Sequence, residues 1–128
     1  MGFKDVIYQK RGIEHKDERR TLLTAFNGDL KGFKAAQVKF YLIKQERQLA
    51  GCYHNYDVAF YILEGEAKFF LKDVETSETK EYILNDTGVL LIPSKVAYKA
   101  IPKAGTKMVG FTEKPFVSTE VNDVKYEF

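Results

Sequence analysis

A Glu64-Gly65 pair stands between two short runs rich in apolar and aromatic residues, 58–63 (VAFYIL) and 66–72 (EAKFFLK). Glycine adopts the positive φ of a tight turn without steric cost, so this arrangement calls for a hairpin, one strand in and its partner back. The same grammar recurs. Residues 38–44 (VKFYLIK) alternate, and 80–84, 89–92, 98–101 and 107–112 are further strand candidates, divided by turn clusters at 73–79 (DVETSET), 85–88 (NDTG) and 102–105. Strands this short and this closely spaced leave no room for parallel crossovers, so an all-β sandwich or barrel is expected. Gly65 and Gly88 read as turn formers, and there is no glycine-rich phosphate loop. Residues 17–23, followed by the turn Asn27-Gly28-Asp29, read as an early strand and hairpin.

No repeat, linker or low-complexity tract interrupts the chain, so one domain spanning 1–128 is expected. It divides into N-terminal strands and hairpin (1–30), barrel core (36–113) and C-terminal tail (114–128), the tail being a short helix or strand docked on the barrel, or a partly ordered end. With 128 residues, 45% of them hydrophobic and 14% aromatic, such a domain buries about two thirds of its unfolded surface. A lone cysteine excludes an intramolecular disulfide framework, and the opening MGFKDVIYQKRG has no apolar signal core, so a cytoplasmic location is expected. The apolar runs fall far short of the roughly 18 residues that span a bilayer. Twenty basic and 18 acidic residues are intermixed for a net charge of +2, which argues against nucleic acid as a partner and for a solvated, charge-guarded sheet surface.

Residues 51–71 also resemble the first signature of the cupin superfamily. Counting back from Gly65, His54 takes the place of the second histidine, Cys52 that of the first, and Val58 that of the carboxylate; Pro93-Ser94-Lys95-Val96-Ala97-Tyr98 resembles the second signature, with Tyr98 in place of its histidine. The resemblance implies a double-stranded β-helix, or jelly-roll barrel, with a pocket between these segments. One of the four usual metal ligands remains, and a first-row divalent ion needs at least three converging donors. No tightly bound metal and no other cofactor is expected. Within the superfamily, the chain is similar to the cupins that isomerise or epimerise deoxythymidine-diphospho-keto-sugars and to capsule-biosynthesis cupin modules. Asp17, Arg19 and Leu22 match their D-x-R-G-x-L with Arg20 for the glycine, and Leu49-Ala50-Gly51-Cys52-Tyr53-His54 stands where R-G-x-H-x-H is usual. The first histidine of that motif resembles a general base, and Cys52 replaces it here.

Moving a proton next to a carbonyl needs a base matched to the working pH and a donor for the enolate oxygen. His54 is the best candidate for base or ligand contact, with a purely structural, hydrogen-bonded role as the plain alternative. Tyr98 is the candidate donor, against a hydroxyl tied to a backbone carbonyl. Cys52 and His54, two apart on one strand, share a face, so a cysteine-histidine pair is geometrically open; a free thiol with a pKa near about 8.5 is only slightly ionised at neutral pH. By the same parity Val58, Phe60 and Ile62 line one wall, favouring an apolar or ring-shaped ligand. Arg19 and Arg47 are candidates to clamp a diphosphate, or are ordinary surface arginines. His15 lies among charged neighbours and reads as solvated. Three functions follow: a small cupin, pairing as a homodimer, that holds a small organic ligand, with a sugar or sugar nucleotide the favoured class, without a tightly bound metal; a sugar-nucleotide keto-isomerase or epimerase using His54 with Tyr98 or Cys52; and a metalloprotein whose depleted site is completed by residues outside these motifs.

Overall fold

The structure is a computed structural model and describes residues 3–128. Twelve strands form along it: β1 (Ile7–Lys10), β2 (His15–Lys16), β3 (Thr21–Leu22), β4 (Gln37–Leu42), β5 (Leu49–Tyr53), β6 (Val58–Glu64), β7 (Glu66–Asp73), β8 (Thr79–Asn85), β9 (Gly88–Ile92), β10 (Val96–Pro102), β11 (Lys107–Thr112) and β12 (Val124–Lys125). A single turn of helix, α1 (Thr119–Asn122), precedes β12. Two five-stranded antiparallel sheets, ordered β1-β9-β6-β11-β4 and β12-β5-β10-β7-β8, face each other as an all-β jelly-roll barrel. No helix among the described residues is long and apolar enough to cross a membrane.

The hairpin at Glu64-Gly65 joins β6 to β7 across the two sheets. Gly65 has φ 108°, and a Cβ there would meet the side chain of Thr106 at 2.5 Å, so both conformation and contact require glycine. Thr106 sits against it because its hydroxyl bonds the backbone of Glu66 in both directions. The apolar run of β6 is continuous because both its faces are covered. Val58, Phe60 and Ile62 point into the barrel with Phe69, Leu71, Leu84 and Leu90, whereas Ala59 and Tyr61 point outward beneath Leu30 and Phe33. Strand β7 instead alternates, burying Ala67, Phe69 and Leu71 while Lys68 is exposed, as expected of a strand with one wet face.

The early hairpin does not turn at Asn27-Gly28-Asp29. It turns at residues 17–20, where the Asp17 carboxylate accepts the backbone N–H groups of Arg19 (2.8 Å) and Arg20 (3.1 Å), and β2 pairs with β3 through His15 with Leu22 and Lys16 with Thr21. An aspartate that satisfies the turn's own amides outweighs the glycine signal downstream. Residues 27–29 form a bend held by the Asp29 side chain, and the chain beyond it lays Leu30 and Phe33 on the outer sheet face. Strand pairing also reaches beyond 36–113, since β1 pairs with β9 and β12 pairs with β5.

Candidate functional site

The site is built where β5 meets β10. Their pairing, Tyr98 with Cys52 and then Lys99 with Ala50, skips Gly51, and the skipped residue forms a bulge with Ala50 at φ 67° and Gly51 at φ 95°. A bulge bends its strand and re-aims the side chains that follow. Cys52 turns inward opposite Tyr98, and His54, just past the strand, follows it; the His54 carbonyl accepts the Lys95 N–H at 2.9 Å and ties this end to the loop before β10. From the other side the C-terminal segment folds over the same end. Its keystone is Asn122, buried, whose side-chain oxygen accepts the amides of Val117 (2.7 Å) and Ser118 (3.1 Å) while its NH2 donates to the Pro115 carbonyl (3.0 Å) and the Tyr56 hydroxyl (3.1 Å).

These segments enclose a cavity of about 240 Å³. Tyr41, Tyr56, Phe60, Tyr98 and Phe116 supply aromatic walls, and Lys39, Cys52, His54 and Asp123 the groups that carry chemistry. The histidine's hydrogen bonds fix its tautomer. A carbonyl can only accept, so His54 Nδ1 carries the proton and donates to the Asn122 carbonyl at 2.8 Å. Nε2 therefore holds a lone pair and accepts the Tyr98 hydroxyl at 2.8 Å. Asp123 Oδ1 lies 3.4 Å from Nδ1, beside the Asn122 carbonyl that takes its proton, so a carboxylate flanks the hydrogen-bonded imidazole and phenol at the cavity. Tyr56 stacks on the imidazole, centroids 5.0 Å apart and planes 20° apart.

Burial governs the protonation of all three inner groups. It lowers the His54 pKa below the ordinary histidine value, against the opposing pull of the Asn122 carbonyl and the Asp123 carboxylate. It raises Tyr98 well above the ordinary phenol value, with Cys52 the next cause. The Cys52 thiol is pushed up to about 11, by burial first and then by Asp123. At neutral pH Cys52 is a neutral thiol 3.9 Å from His54 Nε2, and the sulfur is not the thiolate that a base would require.

The expected residues part company here. Cys52, His54, Phe60 and Tyr98 meet in the cavity. Val58 and Ile62 share the inward face with Phe60 but lie in the packed core without lining the cavity. Arg19 and Arg47 do not reach it: Arg19 is 80% exposed and paired with Asp17 at 3.1 Å, and Arg47 is exposed on the loop between β4 and β5. His15 bonds Asp17 at 2.9 Å on the surface. Asp123, Asn122, Tyr41, Tyr56 and Lys39 escaped the sequence reading, because motif spacing speaks for strands near the glycine turns and carries no signal for a polar tail folding back.

Asp123 bears on the metal that the cupin resemblance brings to mind. Cys52, His54 and Asp123 place donor atoms within 4.8 Å of one another. In this structure both imidazole nitrogens are hydrogen-bonded, and buried Val58 stands where a carboxylate ligand is usual. Three donors meet the minimum for a first-row ion, and His54 Nε2 becomes a free ligand only when the Tyr98 hydroxyl turns away from it.

An antiparallel jelly roll with its cavity between β5, β10 and the sheet carrying β4 and β11 has the cupin fold, in the form found in the RmlC-like sugar-nucleotide isomerases and epimerases. The structure resembles the WlaRB TDP-quinovose 3,4-ketoisomerase of Campylobacter jejuni, with a TM-score of 0.78 and 14% identity over 96% of this chain and 95% of that one. It also resembles the QdtA sugar 3,4-ketoisomerase of Thermoanaerobacterium thermosaccharolyticum, solved in complex with TDP, at a TM-score of 0.75 and 19% identity over 93% of this chain and 87% of that one. The rmlC epimerase of Mycobacterium tuberculosis gives a TM-score of 0.76 and 9% identity over 91% and 67%. No protein-family model matches the chain, and no curated protein sequence matches it. The likeness is one of fold.

Proposed function

We propose that this chain binds a sugar or sugar nucleotide in the barrel cavity, as a cytoplasmic homodimer. The reading rests on one observation: the hydrogen-bonded Tyr98 and His54, flanked by Asp123, open into an aromatic-walled cavity at the centre of a barrel whose neighbours include one solved with TDP. Aromatic walls with a few convergent polar groups suit a ring carrying hydroxyls. A free cysteine kept buried accords with a reducing compartment. The dimer accords with edge strand β4, whose outward residues Val38, Phe40 and Leu42 are 47%, 75% and 69% exposed beside an unpaired backbone edge.

The same groups support a second reading, keto-isomerase or epimerase. In that reading the Tyr98 hydroxyl turns from Nε2 to donate to the substrate's carbonyl oxygen, and the freed Nε2 lone pair takes the proton from the adjacent carbon and returns it to the neighbouring one. Deuterium exchange from solvent into a TDP-4-keto sugar, followed by NMR, separates the two. Exchange lost in both His54→Ala and Tyr98→Phe supports the enzyme; saturable binding without exchange supports the binding protein. Failure of any sugar or sugar nucleotide to bind sinks both.

A further inference from the structure

Resting on the reading of the cavity as a sugar site, we infer that it takes the uncharged ring alone and makes no provision for a diphosphate. Phosphate recognition needs converging cationic or N–H donors: an arginine fork, a lysine, a glycine-rich nest or the start of a helix. Among the described residues the cavity wall offers one cation, Lys39, already seated over the Phe116 ring at 4.9 Å. It also carries a carboxylate, Asp123, so the wall has no net positive charge. The hollow adjoining it is lined by one cation, Lys125, against two carboxylates, Glu120 and the shared Asp123. Further out, Lys99 bonds the Phe128 carbonyl and Lys125 faces Glu127 at 4.0 Å. Arg11, the one arginine with a mostly covered side chain, is fixed to Asp29 and the Ala25 carbonyl, away from the cavity. The start of α1 is capped by the Ser118 hydroxyl accepting the Val121 N–H.

Size points the same way. At about 240 Å³ the aromatic-walled part of the cavity fits one ring, and the hollow of about 450 Å³ that adjoins it through Ala50, Cys52 and Asp123 brings no arginine among the described residues. Tyr41, Tyr56 and Phe60 offer flat apolar faces to that ring, and Asp123 offers a hydroxyl acceptor. A diphosphate held here would face that half-buried carboxylate, and like charges repel.

The test is NMR titration of the full chain, following the ring signals of Tyr41, Tyr56 and Tyr98, with three probes: 6-deoxy-D-glucose, TDP and TDP-glucose. The expected result is saturable movement with 6-deoxy-D-glucose, none with TDP, and TDP-glucose binding no tighter than the free hexose and independent of salt. Asp123→Asn, nearly isosteric, should weaken the hexose about tenfold by removing a charge-assisted hydrogen bond, and Tyr41→Phe, which keeps the flat face, should leave hexose binding within about twofold, whereas Tyr41→Ala should weaken it. TDP binding more tightly than the hexose, with the same rings moving and with Asp123→Asn strengthening it, overturns the inference and leaves the sugar-nucleotide reading standing. Silence from all three probes overturns both.

Discussion

Strand β6 separates two apolar clusters that the same run of residues serves with opposite faces. Inward, Val58, Phe60 and Ile62 join a cluster that ends in a hollow and in polar groups that find each other, the Tyr98 hydroxyl on His54 and His54 on the Asn122 carbonyl. Outward, Ala59 and Tyr61 join a cluster roofed by Leu30 and Phe33, and here the buried Tyr61 hydroxyl has no hydrogen-bond partner among the described residues. Both faces bury a tyrosine, but only one arranges acceptors for it. A buried hydroxyl with a dedicated acceptor marks a place where polar chemistry is wanted, and one without marks a place where the ring is wanted for its bulk. The inner face is a site, and the outer face is packing that closes the sheet.

That distinction can be broken by truncating each face. Phe69→Ala, in the inner cluster, should lower unfolding free energy by about 3–5 kcal/mol, and Leu30→Ala, in the outer roof, by about 2–5 kcal/mol, measured by chemical denaturation. Both side chains are fully buried, so the two costs should be similar. Only the inner truncation should alter sugar binding. A Leu30→Ala protein that is folded but has lost its ligand would show that the outer cluster belongs to the site.

A finer cut uses the two phenols. Among the described residues Tyr98→Phe leaves His54 Nε2 only the weak Cys52 thiol at 3.9 Å, a poorly paired buried acceptor at a cost of about 1–2 kcal/mol. Tyr61→Phe removes a hydroxyl that bonds nothing, so it should be neutral or stabilise by up to about 1 kcal/mol. Thermal denaturation of the pair at pH 7.5 reads the contrast directly, and equal destabilisation would abolish it.

The sequence carried the strands of this barrel and one wall of its site, for a physical reason. Strands announce themselves by periodicity and glycine, so 58–63, 66–72 and 107–112 fall on β6, β7 and β11 within a residue or so, and the parity that put Cys52 beside His54 and Phe60 on the inner face holds. What periodicity does not carry is how a polar segment folds back. Asn122 and Asp123 lie in a stretch with no alternation, and their place is set by side-chain bonds to backbone five and seven residues earlier. Those bonds are cheap to write into many sequences and so leave no pattern. Arg19 and Arg47 erred in the opposite sense: a motif match put Arg19 forward and phosphate chemistry put Arg47 beside it, but nothing local bends either toward the cavity. Asp17, which accepts the Arg19 amide and pairs its guanidinium, holds Arg19 on the surface hairpin.

The smallest expected effect isolates His54 itself. Its pKa in the fold lies below the ordinary value, with burial as the main cause, whereas in the unfolded chain it returns to about 6.5. As pH falls through about 6.5 the unfolded chain takes up a proton that the folded one declines, so stability is complete above that pH and drops as the solution is acidified, until the folded value is reached. Over a pH unit this one group can contribute no more than about 1.4 kcal/mol, and less here because Asn122 and Asp123 pull against burial. Melting temperatures at pH 7.5 and 5.5 for the wild type and His54→Gln should differ in slope, the variant losing less on acidification. The outer cluster contains no titratable group in this range, so Tyr61→Phe should keep the wild-type slope; an unchanged slope in His54→Gln would move the titration to another residue and remove the imidazole from the account of the inner face.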